Sequence, residues 1–382
     1  MKKTLVECLD TIQDFRKGNG ISHKLIDILS ISILAVLCGA DGWIGMEEFG
    51  KAKQSWLKRF LELPNGIPSH DTFGRVFASI DPKEFHAVFI EWVKNISETI
   101  KGQVIAIDGK TARRTKDKAN GKSAIHVVSA WATENSMVLG QLKVDDKSNE
   151  ITAIPELLKL LDISGCIITI DAMGTQKNIA KEVIEGKGDY ILSLKKNQEK
   201  LHNAVELFFK EEILTKSKKS LEEDHQYYKT VEKNHGRIEK RAYYVCNDVS
   251  WLPQKEDWKN LSGIGLCISE RTIGEKKTVE SSYYIHSIKN CTAEEFGKFR
   301  RSHWGIENSL HWVLDMAFRE DESRARKDHC AENLNIVRHL TLNLLKKEKT
   351  SKRGIKTKRL KCGWDDSYLI KVLELVDLAT IP

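Results

Sequence analysis

Residues 104–114 read VIAIDGKTARR. Val104, Ile105, Ala106 and Ile107 form the continuous apolar, β-branched run that marks a strand buried on both faces. The run ends in a carboxylate, Asp108, with a turn expected at Gly109 and with Lys110, Arg113 and Arg114 just beyond it. A buried charge is costly unless it is paired, so the strand is expected to open there onto a crevice. Gly109-Lys110-Thr111 resembles the end of a phosphate-binding P-loop. That loop needs a glycine where Val104 stands, which removes nucleotide triphosphate hydrolysis as an explanation.

The segments that follow explain why the acid faces a crevice. Residues 124–133 (AIHVVSAWAT) and 136–145 (SMVLGQLKVD) flank Glu134-Asn135 and read as an antiparallel hairpin. TAIPELLKLL reads as a helix with Pro155 in its first turn, where a missing N–H does little harm. CIITID is a second buried strand ending in an acid, Asp171; KNIAKEVIEG is a helix and DYILSLKK a fifth strand. In the order strand, strand, strand, helix, strand, helix, strand, the first and fourth strands lie parallel with their carboxyl ends at one edge. Asp108 and Asp171 then become neighbours, in a ribonuclease H-like arrangement.

The expected fold class is therefore α/β. A ribonuclease H-like catalytic core begins over residues 101–200, a β-rich insertion occupies 201–290, and the final core helices occupy 291–345. A small all-α domain over 1–100 precedes it, with apolar residues such as Leu25, Ile28, Leu29 and Phe85, Val88, Phe89, Trp92 at helical spacing. Within that domain NGIPSHDTFGRVFASIDP holds two turn signals around a short helix that Ser69 or Asp71 would cap, a candidate DNA-binding helix-turn-helix. A basic C-terminal tail over 346–382 completes the chain. Its residues 346–361 hold nine Lys or Arg against one Glu.

A helix of about 26 residues is expected over AEEFGKFRRSHWGIENSLHWVLDMAF, with Glu307 beside its apolar stripe. Two aspartates at adjacent strand ends repel each other unless a cation lies between them. Hard divalent ions prefer carboxylate oxygens and leave positions open to phosphate. With Glu307 as the third acid, two metals about 4 Å apart would activate a water or a 3′-hydroxyl for in-line displacement at phosphorus. Lys110, Arg113 and Arg114 would then meet phosphates flanking the scissile bond. His303, Glu307 and His311 share one helix face, yet the HExxH order is absent and three ligands spread over two turns close poorly on tetrahedral zinc. The two histidines are read as flanking the acid, orienting it, contacting DNA or simply packing.

Composition excludes several classes. With 41% hydrophobic residues in 382, the chain is too apolar for disorder, and a balance of 61 Lys+Arg against 54 Asp+Glu gives only +7. The eight cysteines form no CxxC pair, no secretory signal is apparent, and reduced thiols in a cytoplasmic protein are expected. The most apolar stretch, from Leu25, contains Asp27 and falls short of the roughly 20 residues of a spanning helix. No membrane association is expected.

Several blocks together carry a resemblance: IAIDGKT, SAWAT, KSNEITAIPELL, TIDAMGTQKNIA, GDYILSLKKNQ, NHGR and HWGIENSLHW. The chain resembles, over nearly its whole length, the H-repeat-associated insertion-sequence transposases of the DDE superfamily. The resemblance implies Asp108, Asp171 and Glu307 as catalytic, metal-binding acids. It implies two Mg²⁺ ions, with Mn²⁺ able to substitute, and cleavage and 3′-hydroxyl transfer at transposon ends. Double-stranded DNA is the implied partner, bound by a homodimer in a prokaryotic, nucleoid-associated setting. The superfamily's Tyr, Arg and Lys around the last acid are replaced by Arg300, His303 and Leu314, so Arg300, Arg301 or His303 would take over their phosphate contacts. Trp304 keeps the place of an aromatic near the DNA end. Lys195, with Asn197 and Gln198, follows the fifth strand as a backbone contact, and His235 and Arg237 in NHGR are assigned to DNA. The alternatives are a catalytically inactive DNA-binding remnant and a metal-dependent nuclease without strand transfer.

Overall fold

The computed structural model describes residues 3–17, 21–97, 100–117, 121–144, 149–234 and 236–374. The chain divides into two compact units, one of residues 1–98, 109–147 and 307–382, the other of residues 99–108 and 148–306. The strands are β1 (Val104–Thr111), β2 (His126–Ala132), β3 (Met137–Val144), β4 (Ile167–Ile170), β5 (Asp189–Leu194), β6 (Tyr227–Asn234), β7 (Arg237–Cys246), β8 (Gly263–Ile273) and β9 (Lys276–His286).

The second unit carries most of a large mixed sheet. Val104 to Ile107 are fully buried and pair in parallel with Ile167 to Ile170, as two apolar, β-branched runs should. β4 pairs in parallel with β5, and β5 then pairs antiparallel with β9. β9, β8, β7 and β6 continue as an antiparallel series. The segment expected as a separate β-rich insertion thus extends the sheet directly through β9. The helix Ala293–Ile306 packs on this sheet through Phe296, whose ring meets Tyr243 and Tyr284 edge to face. Gly265 makes room for it: a Cβ there would stand 2.6 Å from the Phe296 ring.

Two local expectations shift. The helix Glu150–Leu160 begins earlier than expected because the Asn149 side chain accepts from the Ile151 amide. Pro155 consequently lies inside the helix, past its first turn. The expected 26-residue helix is interrupted: Ala293–Ile306 passes into a π-helical turn at Glu307–His311 and continues as Trp312–Phe318.

In the first unit, β2 and β3 form the expected hairpin around Thr133–Ser136, with Ser136 left-handed at φ 51. The helix Cys330–Lys347 is buried from Leu334 to Leu345 and includes polar residues. They are there as fasteners. Asn333 donates to the carbonyls of Phe77 and Ile80 (2.9 and 3.0 Å), and Asn343 both accepts from the Val138 amide and donates to its carbonyl, each at 2.8 Å. Asn343→Leu is expected to cost about 1–3 kcal/mol for each Val138 group left unsatisfied, read as a lower urea midpoint with an unchanged m-value.

The basic run after residue 345 is folded, with Lys358 and Arg359 buried. It forms the helix Ile355–Trp364, followed by Asp366–Glu374. Arg359 is buried and donates to the carbonyls of Val36 and Ala40 and to Asp41. Lys358 donates to the Leu345 carbonyl and pairs with buried Glu348, which also accepts from the Tyr368 hydroxyl at 2.7 Å. These cations serve as internal donors, which a charge count cannot distinguish from surface charge. Residues 375–382 lie outside the described residues.

Candidate functional site

Asp108 and Asp171 each follow immediately on the last paired residues of β1 and β4, Ile107 and Ile170. On adjacent parallel strands about 4.8 Å apart, that register puts the two acids side by side where the β1–β4 pairing stops, Asp108 within β1 and Asp171 just past β4, both half-buried. β1 does not turn at Gly109 as expected but runs on to Thr111. Its extension is held by non-local bonds, from the Ala112 amide to the Ile125 carbonyl and between Thr111 Oγ1 and His126 Nδ1 at 2.8 Å. β4 stops at Ile170, so only the β4 side of β1 opens at Asp108.

The chain past Asp171 is pinned. Asp171 Oδ1 accepts from the amides of Met173 and Gly174 at 3.0 and 3.2 Å, an Asx turn that aims the carboxylate. Asn197 donates to the Ala172 carbonyl and Gln198 to that of Thr175. Sequence reasoning assigned Asn197 and Gln198 to the DNA backbone; the structure uses their amides to brace the loop behind Asp171.

His303 joins the same corner. Its Nδ1 lies 3.0 Å from Thr169 Oγ1. Burial drives the imidazole below its ordinary range, the Asp171 charge pulling the other way, and the Thr169 contact seats the ring beside the β4 end. Glu307 follows one turn later in the same helical run and opens the π-helical turn, exposed. Such turns recur at functional sites because they reorient one residue without breaking the helix. Among the described residues, no three His, Cys, Asp or Glu are gathered so as to hold a metal ion.

A family model described as the Transposase DDE domain matches residues 99–344, and a second, described as DDE_Tnp_1-associated, matches residues 6–93. The chain belongs to the DDE transposase family. It is 43% identical over 376 residues to the H repeat-associated transposase homologue YhhI of Escherichia coli, covering 97% of this chain and 98% of that one. The related YbfD of Escherichia coli is 46% identical over 245 residues, 64% of this chain and 94% of that one. A solved piggyBac transposase synaptic complex with hairpin DNA is only a distant likeness, 13% identical with a TM-score of 0.45 over 98% of this chain and 80% of that one.

The cations assigned to DNA in this family member divide sharply. Lys110 is enclosed, its Nζ 2.8 Å from Asp315, 2.7 Å from Glu320 and 3.5 Å from Asp321. It is engaged inside the protein and does not stand ready for phosphate. Arg300 is also buried, donating from Nε to the Tyr284 hydroxyl at 3.0 Å. Arg301 reaches Glu232 at 3.2 Å and Arg237 reaches Glu239 at 3.0 Å. Arg113 and Arg114 are exposed on a 3-10 turn, Arg113 lying 3.3 Å from Asp321, and Lys195 is exposed after β5. Trp304 is 41% exposed, with the guanidinium groups of Arg300 and Arg301 5.6 and 5.9 Å from its ring. His235 lies outside the described residues. No helix among the described residues is long and apolar enough to cross a membrane.

Sequence reasoning missed the acidic partners of Lys110 and the Thr169–His303 contact. The signal for the first was present: DMAFREDE concentrates four acids in eight residues of an otherwise basic chain.

Proposed function

We propose that this chain is an active DNA transposase with a ribonuclease H-like core, cutting phosphodiester bonds at element ends and joining the freed 3′-hydroxyl to target DNA. The observation that carries the proposal is the register of β1 against β4, which puts Asp108 beside Asp171 at a parallel strand edge. Glu307, on the helical run that His303 seats against Thr169, is the third acid. Carboxylates are the donor set that Mg²⁺ or Mn²⁺ takes, so the residues fit the ions the family implies. When bound, two such ions would supply an activated oxygen nucleophile and stabilise the leaving oxygen. The protein's part is to fix the carboxylates. The Asx turn and the Asn197 and Gln198 braces hold Asp171, and neutral His303 adds no competing charge beside it. Exposed Arg113, Arg114 and Lys195 position the DNA backbone, and Trp304 offers a ring face to an unpaired base. Joining two ends in one event calls for two copies on DNA.

The test is to incubate the purified chain with a labelled duplex carrying an element end and a supercoiled plasmid, with and without Mg²⁺. Metal-dependent cutting at the end followed by plasmid-joined product is expected. One shorter relative, matching 74 residues at 43% identity, is named the inactive transposase YbfQ. If this chain were a catalytically inactive DNA-binding remnant, the duplex would be bound and left uncut. A nuclease without strand transfer would cut and give no joined product.

A further inference from the structure

Within the unit formed by residues 1–98, 109–147 and 307–382, a groove of roughly 1040 Å³ runs between the helix His70–Ser79 and the segment Arg324–Cys330. Five cations line it, Arg75, Lys122, Arg324, Arg326 and Lys327, against the carboxylates of Asp71, Asp117 and Asp328. Lys122 lies 3.7 Å from Asp328. Arg324 and Lys327 make no ion pair among the described residues, and both are exposed along with Arg75 and Arg326. Like charges held this close raise the local potential and favour an anion in the groove.

The walls are built to stay in place. The His329 amide donates to the Ala78 carbonyl, Asn333 donates to the carbonyls of Phe77 and Ile80, and the Cys330 thiol lies against the Gly74 carbonyl. Arg326 Nε donates to the Arg114 carbonyl at 3.0 Å, which joins the groove to exposed Arg113 and Arg114. The helix N-terminus is not the attraction, because its first amides are already taken: that of His70 by Glu47 and that of Thr72 by Ser69. Side-chain guanidinium and ammonium groups do the work, spaced along a groove open to solvent.

We infer that this groove binds the phosphate backbone of duplex DNA, as a holding site separate from the strand-end acids. A row of arginines suits consecutive phosphates, which they meet in bidentate fashion. The inference rests on the DNA-processing reading above and assigns it a second contact, one wall of which is the helix that the sequence offered as a DNA-binding helix-turn-helix.

The test is binding of the full chain to a fluorescent duplex across a salt series, with a variant Arg324→Gln/Arg326→Gln/Lys327→Gln. A second variant, Arg75→Gln, probes the opposite wall in case the triple change disturbs folding. A control, Lys216→Gln/Lys218→Gln/Lys219→Gln, removes the same charge from exposed positions in the other unit. The groove variants are expected to lose roughly tenfold or more in affinity for the triple change. Their slope of log K on log salt should become shallower by about 0.9 per phosphate contact removed. Equal loss in the control, or wild-type affinity and slope in both groove variants, overturns the inference and leaves the transposase reading standing. If the wild-type chain binds no duplex, the DNA reading itself falls, and the groove with it.

Discussion

Asp171→Asn is expected to reduce cutting of an element end by several orders of magnitude while duplex binding persists, and Asp108→Asn and Glu307→Gln should do the same. Each change keeps the side chain's shape and its capacity to accept a hydrogen bond, and removes one negative oxygen from the set proposed to hold divalent cations. The Asx turn at Met173 and Gly174 can form on an Asn oxygen as well as on an Asp oxygen, so folding should be spared. The measurements are single-turnover cleavage of a labelled duplex and a gel-shift affinity on the same preparations. Glu307→Gln discriminates most, because Glu307 is exposed on its π-helical turn while the two aspartates are tied by strand register. Wild-type cleavage by Glu307→Gln would sink the assignment of the third acid. Wild-type cleavage by either Asp variant would sink the site.

The strand-end acids were legible because a buried parallel strand is an uninterrupted apolar run, and the residue that ends the run is unmistakable in VIAID and IITID. The parallel pairing of β1 with β4 followed from element order, whereas the joining of β9 to β5 did not. The continuation of β1 through Gly109-Lys110-Thr111 was hidden, since those residues carry turn chemistry and their pairing comes from Ile125 and His126 beyond a loop. Cation roles were read worst, for one physical reason. An Arg or Lys becomes a phosphate contact or an internal donor according to what lies opposite it, and that partner is distant in sequence. Arg300 was assigned to phosphate, and Tyr284 on β9 takes it inward. Arg359 looked like part of a basic tail, and carbonyls near residue 40 claim it. Of the groove cations, Arg75 lies in the segment read as a candidate helix-turn-helix, while Lys122, Arg324, Arg326 and Lys327 come to it from two segments distant in sequence.

Lys110→Met should be the most destabilising single change in the first unit. The ammonium stands among three carboxylates, those of Asp315, Glu320 and Asp321, and Glu320 is only 1% exposed, with Asn335 as its other partner. Burial acts to lower the Lys110 pKa, but the attraction of Glu320 and the hydrogen bonds of Asp315 and Glu320 win and hold it above the ordinary lysine range. Burial also pushes the Asp315 carboxyl up against the pull of Lys110. Removing that cation strands a buried charge, a change worth about 3–5 kcal/mol, visible as a large drop in urea midpoint. The sign with pH is specific. In the wild type, a raised lysine pKa stabilises fully below the unfolded value of 10.5 and is lost only as pH rises through the folded one. Lys110→Met removes that contribution, so its deficit against the wild type should shrink only as pH rises through the folded lysine value. Adding Glu320→Gln should restore part of the loss at neutral pH, because it removes the stranded charge. A Lys110→Met variant within about 0.5 kcal/mol of wild type would show that the cluster does not hold the end of β1. Lys110 lies two residues beyond Asp108 on the same strand, so loss of the cluster should also slow end cutting, and that defect should be rescued in step with stability by the second substitution.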